Sequence, residues 1–270
     1  MIRVVLLGTS HLGAIKQGWD AISLRTEGIT IEFFGAPRQE FFQFQLDRDL
    51  ILRAPDRVGK ATLKILEGLG QSTEIDLSSA DVVVVAGYIT EAELVEQFFR
   101  HHNVDGFPKS GKKPPMSRAA FEAFLEDTVD RAMPPPLWHG WKNQRLILLG
   151  GPRRAYRDFD GEAFEHTKPL PPETAPKAYD KLATLVKAKL EKLGIEHLPQ
   201  PVSTIAAHGY THPKFNLRSG GLRQSIAMDP RKTNNSGDRR HMNADYGVEV
   251  WRSLLEHLGL PAPEIDMEPN

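Results

Sequence analysis

Four short runs of apolar, largely β-branched residues constrain the fold of this chain more than any other feature. They read IRVVLL, ITIEFF, DVVVVAG and RLILLGG. Because the apolar character is continuous and does not alternate, these runs are typical of strands that are buried on both faces. Such strands occur in parallel sheets that are covered by helices on both sides, so the runs predict a parallel sheet at the centre of the fold.

Segments with a helix-compatible pattern lie between and after these runs, at residues 61–69, 91–101, 117–131, 178–193 and 246–258. A fifth strand is predicted at residues 195–198. The alternation predicts an α/β fold, a three-layer sandwich with a five-stranded parallel sheet, in one domain that spans residues 1–270. The proline-rich passages FPKSGKKPPMS and AMPPPLWHGW bracket a helical insertion at about residues 104–140, which is either a surface insertion or a lid over substrate.

Composition excludes several classes of function. The 34 basic residues almost balance the 35 acidic ones, so the chain lacks the overall positive field that nucleic acid or an anionic membrane would require. It has no cysteine, which excludes disulfides, thiolate zinc sites and a cysteine nucleophile. No apolar run approaches the length of a membrane span, and we expect a cytoplasmic protein.

The turn after the first run, LLGTSHLG, carries a serine at position 10. Gly8 and Gly13 have the spacing of a phosphate-binding loop, but Ala14 and Ile15 stand where that loop needs its Lys and Ser or Thr. A dinucleotide-binding turn would need glycine at position 10. Ser10 is then either a nucleophile or the N-cap of the following helix, and the turn alone leaves both open.

A candidate base lies near the other end of the chain, in GDRRHMNADYG. Asp238 and His241 stand three residues apart before the last predicted helix, so the carboxylate can hold one imidazole nitrogen while the other faces outward. A serine hydroxyl becomes nucleophilic when a neighbouring imidazole takes its proton. The D-x-x-H pattern is common on surface turns, and it gains meaning from the serine that follows the first strand.

With these blocks the sequence resembles the SGNH, or GDSL-like, hydrolase superfamily. The blocks GTSH and DRRH match its serine and D-x-x-H positions, and QPVSTIAAHGYTHPKF and HMNADYG are similar to the P-x-x-T, G-x-T-x-x-F and H-x-N-x-x-YG pattern of a bacterial branch. The resemblance implies a flavodoxin-like fold and ester hydrolysis or acyl transfer on a carbohydrate or lipid, without a cofactor. It also implies that Ser10 is the nucleophile, His241 the general acid and base, and Asp238 the residue that orients His241.

The chain departs from that family where the oxyanion hole is concerned. The family's G-x-N-D block supplies an asparagine, but this chain reads GYIT and has Ile89 in that place. Losing one such donor costs on the order of 100-fold to 1000-fold in rate. Gly35 after the second strand, with Gly87 and Tyr88 after the third, are the remaining candidates for oxyanion or substrate contacts, although Gly35 is equally compatible with a purely structural turn.

Basic residues are concentrated near two predicted ends of strands. Arg153 and Arg154 follow the fourth strand, and others precede or flank His241: Arg218, Arg223, Arg231, Lys232, Arg239 and Arg240. They form either a solvated basic face or a site for a substrate carboxylate or phosphate. No metal is predicted, because the spacing of His11, His208 and His212 matches no metal-binding motif.

Three functions follow from these patterns. The first is a serine esterase that removes an acyl group from a carbohydrate-like or other small ester. The second is an O-acyltransferase that uses the same triad with a sugar hydroxyl in place of water. The third is a binding module that has lost turnover together with its asparagine. Asn243, Tyr246 and Gly247 are expected to set the start of the last helix and not to touch substrate.

Overall fold

The computed structural model describes residues 1–23, 27–88, 92–109, 111–139, 141, 143–155, 170–217, 219 and 240–262. In chain order its elements are β1 (Ile2–Gly8), α1 (Leu12–Ile22), β2 (Ile29–Gly35), α2 (Arg38–Phe41), β3 (Gln45–Leu46), β4 (Ile51–Arg53), α3 (Lys60–Gly68), β5 (Glu74–Asp76), β6 (Val82–Ala86), α4 (Ala92–His101), β7 (Asn103–Val104), β8 (Pro115–Met116), α5 (Arg118–Ala132), β9 (Arg145–Leu149), α6 (Ala175–Lys192), β10 (Glu196–Leu198) and α7 (Ala244–His257). Within these ranges no helix combines the length and the apolar character that crossing a membrane requires.

The central sheet has five strands in the order β10-β9-β6-β1-β2. Every pairing within it is parallel, so the predicted α/β fold with a five-stranded parallel sheet is confirmed. When only the sheet strands are counted along the chain, the order is 2-1-3-4-5, as in flavodoxin-like folds. In such folds, ligands bind beyond the carboxyl ends of the strands, next to the point where the strand order reverses, which lies here between β1 and β6.

Helices cover both faces of this sheet because its central strands carry continuous apolar runs, at residues 4–7 of β1, 82–86 of β6 and 146–149 of β9. In β1, Val4 and Leu6 pack on one face with residues of α1 and α7, whereas Val5 and Leu7 pack on the other with residues of α4, α5 and α6. The alternation of side chains along a strand thus divides a continuous apolar run between two cores. The three layers follow directly from this division.

The two helices on the first face cross at a pair of glycines. A Cβ atom on Gly247 would lie 1.9 Å from the carbonyl oxygen of Ala14, and one on Gly18 would lie 2.2 Å from the carbonyl carbon of Gly247. The Trp251 indole N–H donates to the Ile15 carbonyl at 2.8 Å and adds a buried hydrogen bond to the crossing. The crossing therefore holds the beginning of α7 against α1, which starts directly after β1.

Two smaller sheets were not predicted from the sequence. Strands β3, β4 and β5 form an antiparallel sheet, and β7 pairs with β8. Their strands are only two or three residues long, too short to show a hydrophobic period. The predicted insertion at about residues 104–140 contains β8 and α5, and Phe121, Leu125 and Val129 of α5 belong to the second core. The assignment of the chain to one domain stays a prediction.

Candidate active site

A cavity of about 260 Å³ lies beyond the carboxyl ends of the sheet strands. Its walls come from the turns after β1, β9 and β10, from α4 and α6, and from the residues before α7. The lining residues used below are Ser10, His11, Glu93, Glu96, Gly150, Gly151, Arg153, Arg154, Tyr179, His197, Gln200, Arg240 and His241. No described residue of 104–140 lines the cavity, so that segment does not form a lid over it in this structure.

Ser10 reaches this cavity because β1 ends at Gly8 and α1 begins at Leu12. The N-cap of α1 is His11, which makes no side-chain capping bond. The Gly13 amide bonds to the carbonyl of Ser10, at 3.3 Å, and not to its hydroxyl. Ser10 therefore does not cap the helix through its side chain, and the structural alternative for this residue is excluded.

His241 is positioned by two asparagines of the C-terminal motif. The Asn216 side chain donates to the His241 carbonyl at 2.6 Å. The Asn243 side chain caps α7 by accepting the Tyr246 amide at 3.2 Å, and it donates to two carbonyls of the preceding loop. The prediction that Asn243, Tyr246 and Gly247 set the start of the last helix is thus confirmed, and their effect is to place His241 at the cavity.

Residues near the two ends of the chain meet at one wall of the cavity. Ser10 and His11 from the first turn line the same cavity as His241, and the rings of His11 and His241 lie 5.9 Å apart between centroids, tilted by 36°. Asp238, the predicted orienting residue, lies outside the described residues. The contact between Asp238 and His241 stays a prediction.

Of the oxyanion candidates, Gly87 lies closest to the serine. It adopts φ +70°, a conformation that favours glycine, and a Cβ atom there would lie 2.4 Å from the Thr9 hydroxyl oxygen. It lines a small void next to the main cavity, together with Ser10 and His11. Gly87 is therefore a neighbour of the turn that carries Ser10, and its role in an oxyanion hole stays a prediction.

Gly35 and Tyr88 are placed differently. Gly35 ends β2, where a Cβ atom would lie 2.4 Å from the Gly8 carbonyl oxygen, so the close approach of the two chains accounts for this glycine. The ring of Tyr88 packs edge-on against Phe42, at 5.3 Å, and lines a separate depression with Leu94. Neither residue lines the cavity in the described part of the chain. Ile89 and Thr90 lie outside the described residues.

The opposite wall carries a buried carboxylate. Glu96 has an exposed fraction of 0% and accepts a hydrogen bond from the Tyr179 hydroxyl at 2.7 Å. The guanidinium groups of Arg100 and Arg154 lie 3.1 and 3.4 Å from its carboxylate. Burial raises the pKa of Glu96, and Arg154, the Tyr179 hydrogen bond and Arg100 oppose that rise.

A second carboxylate links this wall to the segment that carries His241. Glu93 lies 2.9 Å from Nε of Arg240 and 3.5 Å from Nη2 of Arg154. Arg154 and Arg240 were predicted to form a basic face or an anion site, but both are engaged with carboxylates of α4. Five other members of the predicted cluster lie outside the described residues, namely Arg218, Arg223, Arg231, Lys232 and Arg239.

The remaining residues of the C-terminal motif hold the turn after β9, which lines the cavity. The Gln200 amide donates to the hydroxyls of Thr204 and Thr211, at 2.9 Å each, and its carbonyl accepts the Arg153 amide at 2.9 Å. Both threonines are fully buried. The P-x-x-T and G-x-T positions thus act as a scaffold that fixes the turn after β9.

Several cavity residues were not identified from the sequence. Glu96 and Tyr179 are polar groups on the buried faces of α4 and α6, and His197 lies inside the last strand. Burial lowers the pKa of His197 to about 4, with a smaller contribution from Lys187. These residues could have been found in the sequence as a glutamate or histidine at a position where the helix or strand pattern expects an apolar residue, because a buried polar group must find partners inside the fold.

Two of the histidines considered as metal ligands in the sequence, His208 and His212, bond to nearby backbone amides. The ring of His208 accepts the Tyr210 amide at 3.3 Å, and that of His212 accepts the Lys214 amide at 3.2 Å. In the ranges that the structure describes, no group of three or more histidine, aspartate or glutamate side chains is arranged to hold a metal ion.

No protein-family profile and no curated protein matches this chain. Among solved structures it is similar to a DUF4886 family protein from Bacteroides uniformis, with 11% identity and a TM-score of 0.34 over 98% of both chains. It is also similar to a possible lipase from Chitinophaga pinensis, with 12% identity and a TM-score of 0.34 over 97% of this chain and 100% of that chain. At such TM-scores neither similarity bears on function.

Proposed function

We propose that this protein is a serine esterase that hydrolyses a small acyl ester. The observation that carries the proposal is that Ser10 and His241, from opposite ends of the chain, line one cavity at the carboxyl edge of the sheet. The Ser10 side chain has no role as a helix cap. The resemblance to the SGNH hydrolases adds the order of the blocks along the chain.

In the proposed reaction, the Ser10 hydroxyl attacks the ester carbonyl while His241 takes its proton. The negative charge on the carbonyl oxygen is stabilised by backbone N–H groups at the Ser10 and Gly87 turns. Collapse of this intermediate releases the alcohol, which receives the proton from His241. A water molecule, activated by His241, then hydrolyses the acyl-serine. Asp238 holds the imidazole in the required tautomer.

The dimensions of the cavity favour a small ester. Its volume of about 260 Å³ is close to the lower end of the range for small-molecule sites. Charged and polar side chains lie on one wall beside the apolar side chains of Leu182, Ala183 and Val186, and this mixed lining suits the hydroxyl groups and C–H faces of a sugar better than a long acyl chain. An acetylated carbohydrate is therefore the substrate class that we propose.

A fluorophosphonate probe tests this proposal directly, since it labels only an activated serine. We expect the wild-type protein to be labelled, Ser10→Ala to be unlabelled, and His241→Gln to react at least about 100-fold more slowly. Ser72→Ala, at an exposed serine outside the cavity, is the matched control and should be labelled like the wild type. Equal labelling of wild type and Ser10→Ala would disprove the assignment.

The same experiment separates the alternatives. A folded wild-type protein that is never labelled would favour the binding module. Labelling alone does not separate an esterase from an O-acyltransferase, because both enzymes pass through the acyl-serine. A labelled protein that transfers acetyl groups to an added sugar, and releases little acetate without it, would be an O-acyltransferase.

A further inference from the structure

The three arginines that line the cavity among the described residues are not equivalent. Arg154 and Arg240 lie within 3.5 Å of carboxylate oxygens of Glu93 or Glu96. Arg153 lines the same cavity but forms no ion pair with any carboxylate of the described residues. Its guanidinium thus has no carboxylate partner within 4 Å in that part of the chain, and Asp180 acts on it only from a longer distance.

Arg153 is nevertheless held in a defined position. Its Nη1 donates to the Gly209 carbonyl at 2.7 Å, and its guanidinium carbon lies 4.4 Å from the centre of the Tyr179 ring. Its backbone is bound on both sides, since its amide donates to Gln200 and its carbonyl accepts the Thr211 hydroxyl at 2.6 Å. The side chain therefore loses little further freedom on binding a ligand.

The surroundings of Arg153 favour an anion. Burial lowers the pKa of Arg153, against the opposing effect of Tyr179, Asp180 and two further tyrosines. A partly desolvated cation is costly until an anion approaches it. A guanidinium offers five N–H donors, and the Gly209 carbonyl occupies one of them, so a planar, bidentate contact is available to a ligand.

We propose that Arg153 binds an anionic group of the substrate, a carboxylate or a phosphate. The ester that Ser10 attacks would then belong to an acidic molecule, such as an acetylated uronic acid or an acetylated sugar phosphate. The ester part of this inference rests on the proposed esterase function, whereas the anion site stands on the structure around Arg153. Glu93 and Glu96 neutralise the other two arginines, so among the described arginines of the cavity Arg153 provides the selectivity.

The catalytic test compares acidic and neutral esters of one sugar type. The probes are acetylated galacturonate, acetylated galactose 6-phosphate and acetylated methyl galactoside. We expect Arg153→Gln to lower kcat/KM for the preferred acidic ester by about 10-fold to 100-fold more than kcat/KM for the neutral ester, so that the ratio of the two falls. Arg153→Lys should retain part of the preference, because it keeps the charge and loses the planar fork.

Arg240→Gln is the matched control, since it removes another arginine of the same cavity. Because Arg240 is engaged with Glu93, its loss should change the rates for acidic and neutral esters by the same factor. An unchanged ratio of acidic to neutral kcat/KM in Arg153→Gln and Arg153→Lys would overturn the inference. Whether the uronate or the sugar phosphate is preferred identifies the source of the anion.

A binding measurement distinguishes failure of this inference from failure of the esterase proposal. Calorimetry with Ser10→Ala should show that galacturonate or galactose 6-phosphate binds at least about 10-fold more tightly than galactose, and that adding Arg153→Gln abolishes the difference. If the serine is never labelled but this difference persists, the anion site stands without the esterase. If the serine is labelled but the acids bind no better than galactose, the anion site is wrong and the esterase stands.

Discussion

The cavity has two walls that are built on different physical principles. The packed wall consists of Ser10, His11 and His241 and is held by the α1–α7 crossing, where glycine backbones touch. The charged wall consists of Glu93, Glu96, Arg153, Arg154 and Tyr179 and is held by ion pairs and hydrogen bonds among buried or half-buried groups. One wall depends on shape and the other on charge.

This difference matches what each wall is proposed to do. A nucleophile and its base must meet within hydrogen-bond distance, and an error of 1 Å costs much of the rate, so steric contact is the suitable way to place them. Recognition of an anion tolerates more variation, because electrostatic attraction falls off slowly with distance. Mutations that change volume should therefore affect the packed wall, whereas changes in charge, pH or salt should affect the charged wall.

The largest effect is expected at the crossing itself. In Gly247→Ala the new methyl group would overlap the Ala14 carbonyl, so the helices must separate. We expect a loss of about 3 kcal/mol in the free energy of unfolding, which outweighs the gain of up to about 1 kcal/mol from replacing a helical glycine. The serine should also react at least about 10-fold more slowly with fluorophosphonate, because the packed wall opens.

Urea unfolding measures the stability, and Gly59→Ala is the matched control. Gly59 has φ −63° and open space around its Cβ direction, so this variant should lose less than about 1 kcal/mol, the cost of placing alanine at the N-cap of α3. A loss of less than about 1 kcal/mol in Gly247→Ala would mean that the packed wall is not held by steric contact.

Glu96→Gln should produce the next largest effect. It removes the charge that balances the guanidinium groups of Arg100 and Arg154 while keeping the shape of the side chain. We expect unfolding to require about 2 kcal/mol less free energy, with a gain in preference for acidic substrates because Arg154 loses a carboxylate that neutralises it. Glu67→Gln, at an exposed glutamate of α3, should leave both quantities unchanged. Equal stability of the two variants would contradict our description of the charged wall.

The pH dependence of stability should reveal His197, which lines the deep end of the cavity. Because burial lowers its pKa to about 4 from an ordinary value of 6.5, the unfolded chain takes up a proton there before the folded protein does. The stability that this neutral histidine confers is present in full above about pH 6.5 and is lost as the pH falls through about 4, in total about 3 kcal/mol.

Urea unfolding between about pH 7.5 and pH 4.5 tests this prediction. His197→Gln should flatten the decline in stability at acidic pH, and His101→Gln, at an exposed histidine, should keep the wild-type slope. If the free energy of unfolding declines with pH at the same slope in all three proteins, His197 is protonated at no cost in stability, and this part of the cavity wall is more hydrated than described.

The smallest effect is expected where the two walls meet. Glu93→Gln removes the partner of Arg240, the residue before His241, and we expect a change in stability below about 1 kcal/mol because the Arg240 side chain is largely exposed. The labelling rate of Ser10 should fall a few-fold, and about 0.5 M salt should have a similar effect on the wild type. Asp127→Asn, which breaks an exposed ion pair with Arg131 in α5, should change neither. A rate that responds to Asp127→Asn as strongly as to Glu93→Gln would contradict a specific link between the walls.

A structural feature could be predicted from the sequence when it depends on residues that are close together in the chain. The strands of the central sheet were predictable because continuous apolar runs such as Val82–Ala86 can be satisfied only between two layers of helices. The predicted bounds of the helices agree with the observed bounds to within a few residues, because the apolar positions of these helices are likewise set by packing against the sheet. The antiparallel sheet around Ile51–Arg53 was missed because three residues carry no period. The roles of Gly18 and Gly247 were also hidden, because close contact between two distant helices leaves no local pattern.

For the candidate site, the sequence by itself determined the chemical groups and the fold class. Ser10 follows the first strand and His241 precedes the last helix, and the order of strands and helices is enough to predict that both lie near one edge of a parallel sheet. The tertiary structure alone decided how the arginines differ, since pairing with Glu93 and Glu96 depends on which side chains α4 presents to the cavity. Arg153 and Arg154 are adjacent in the chain and chemically identical, and only their partners in space separate a structural cation from one that is available to a ligand.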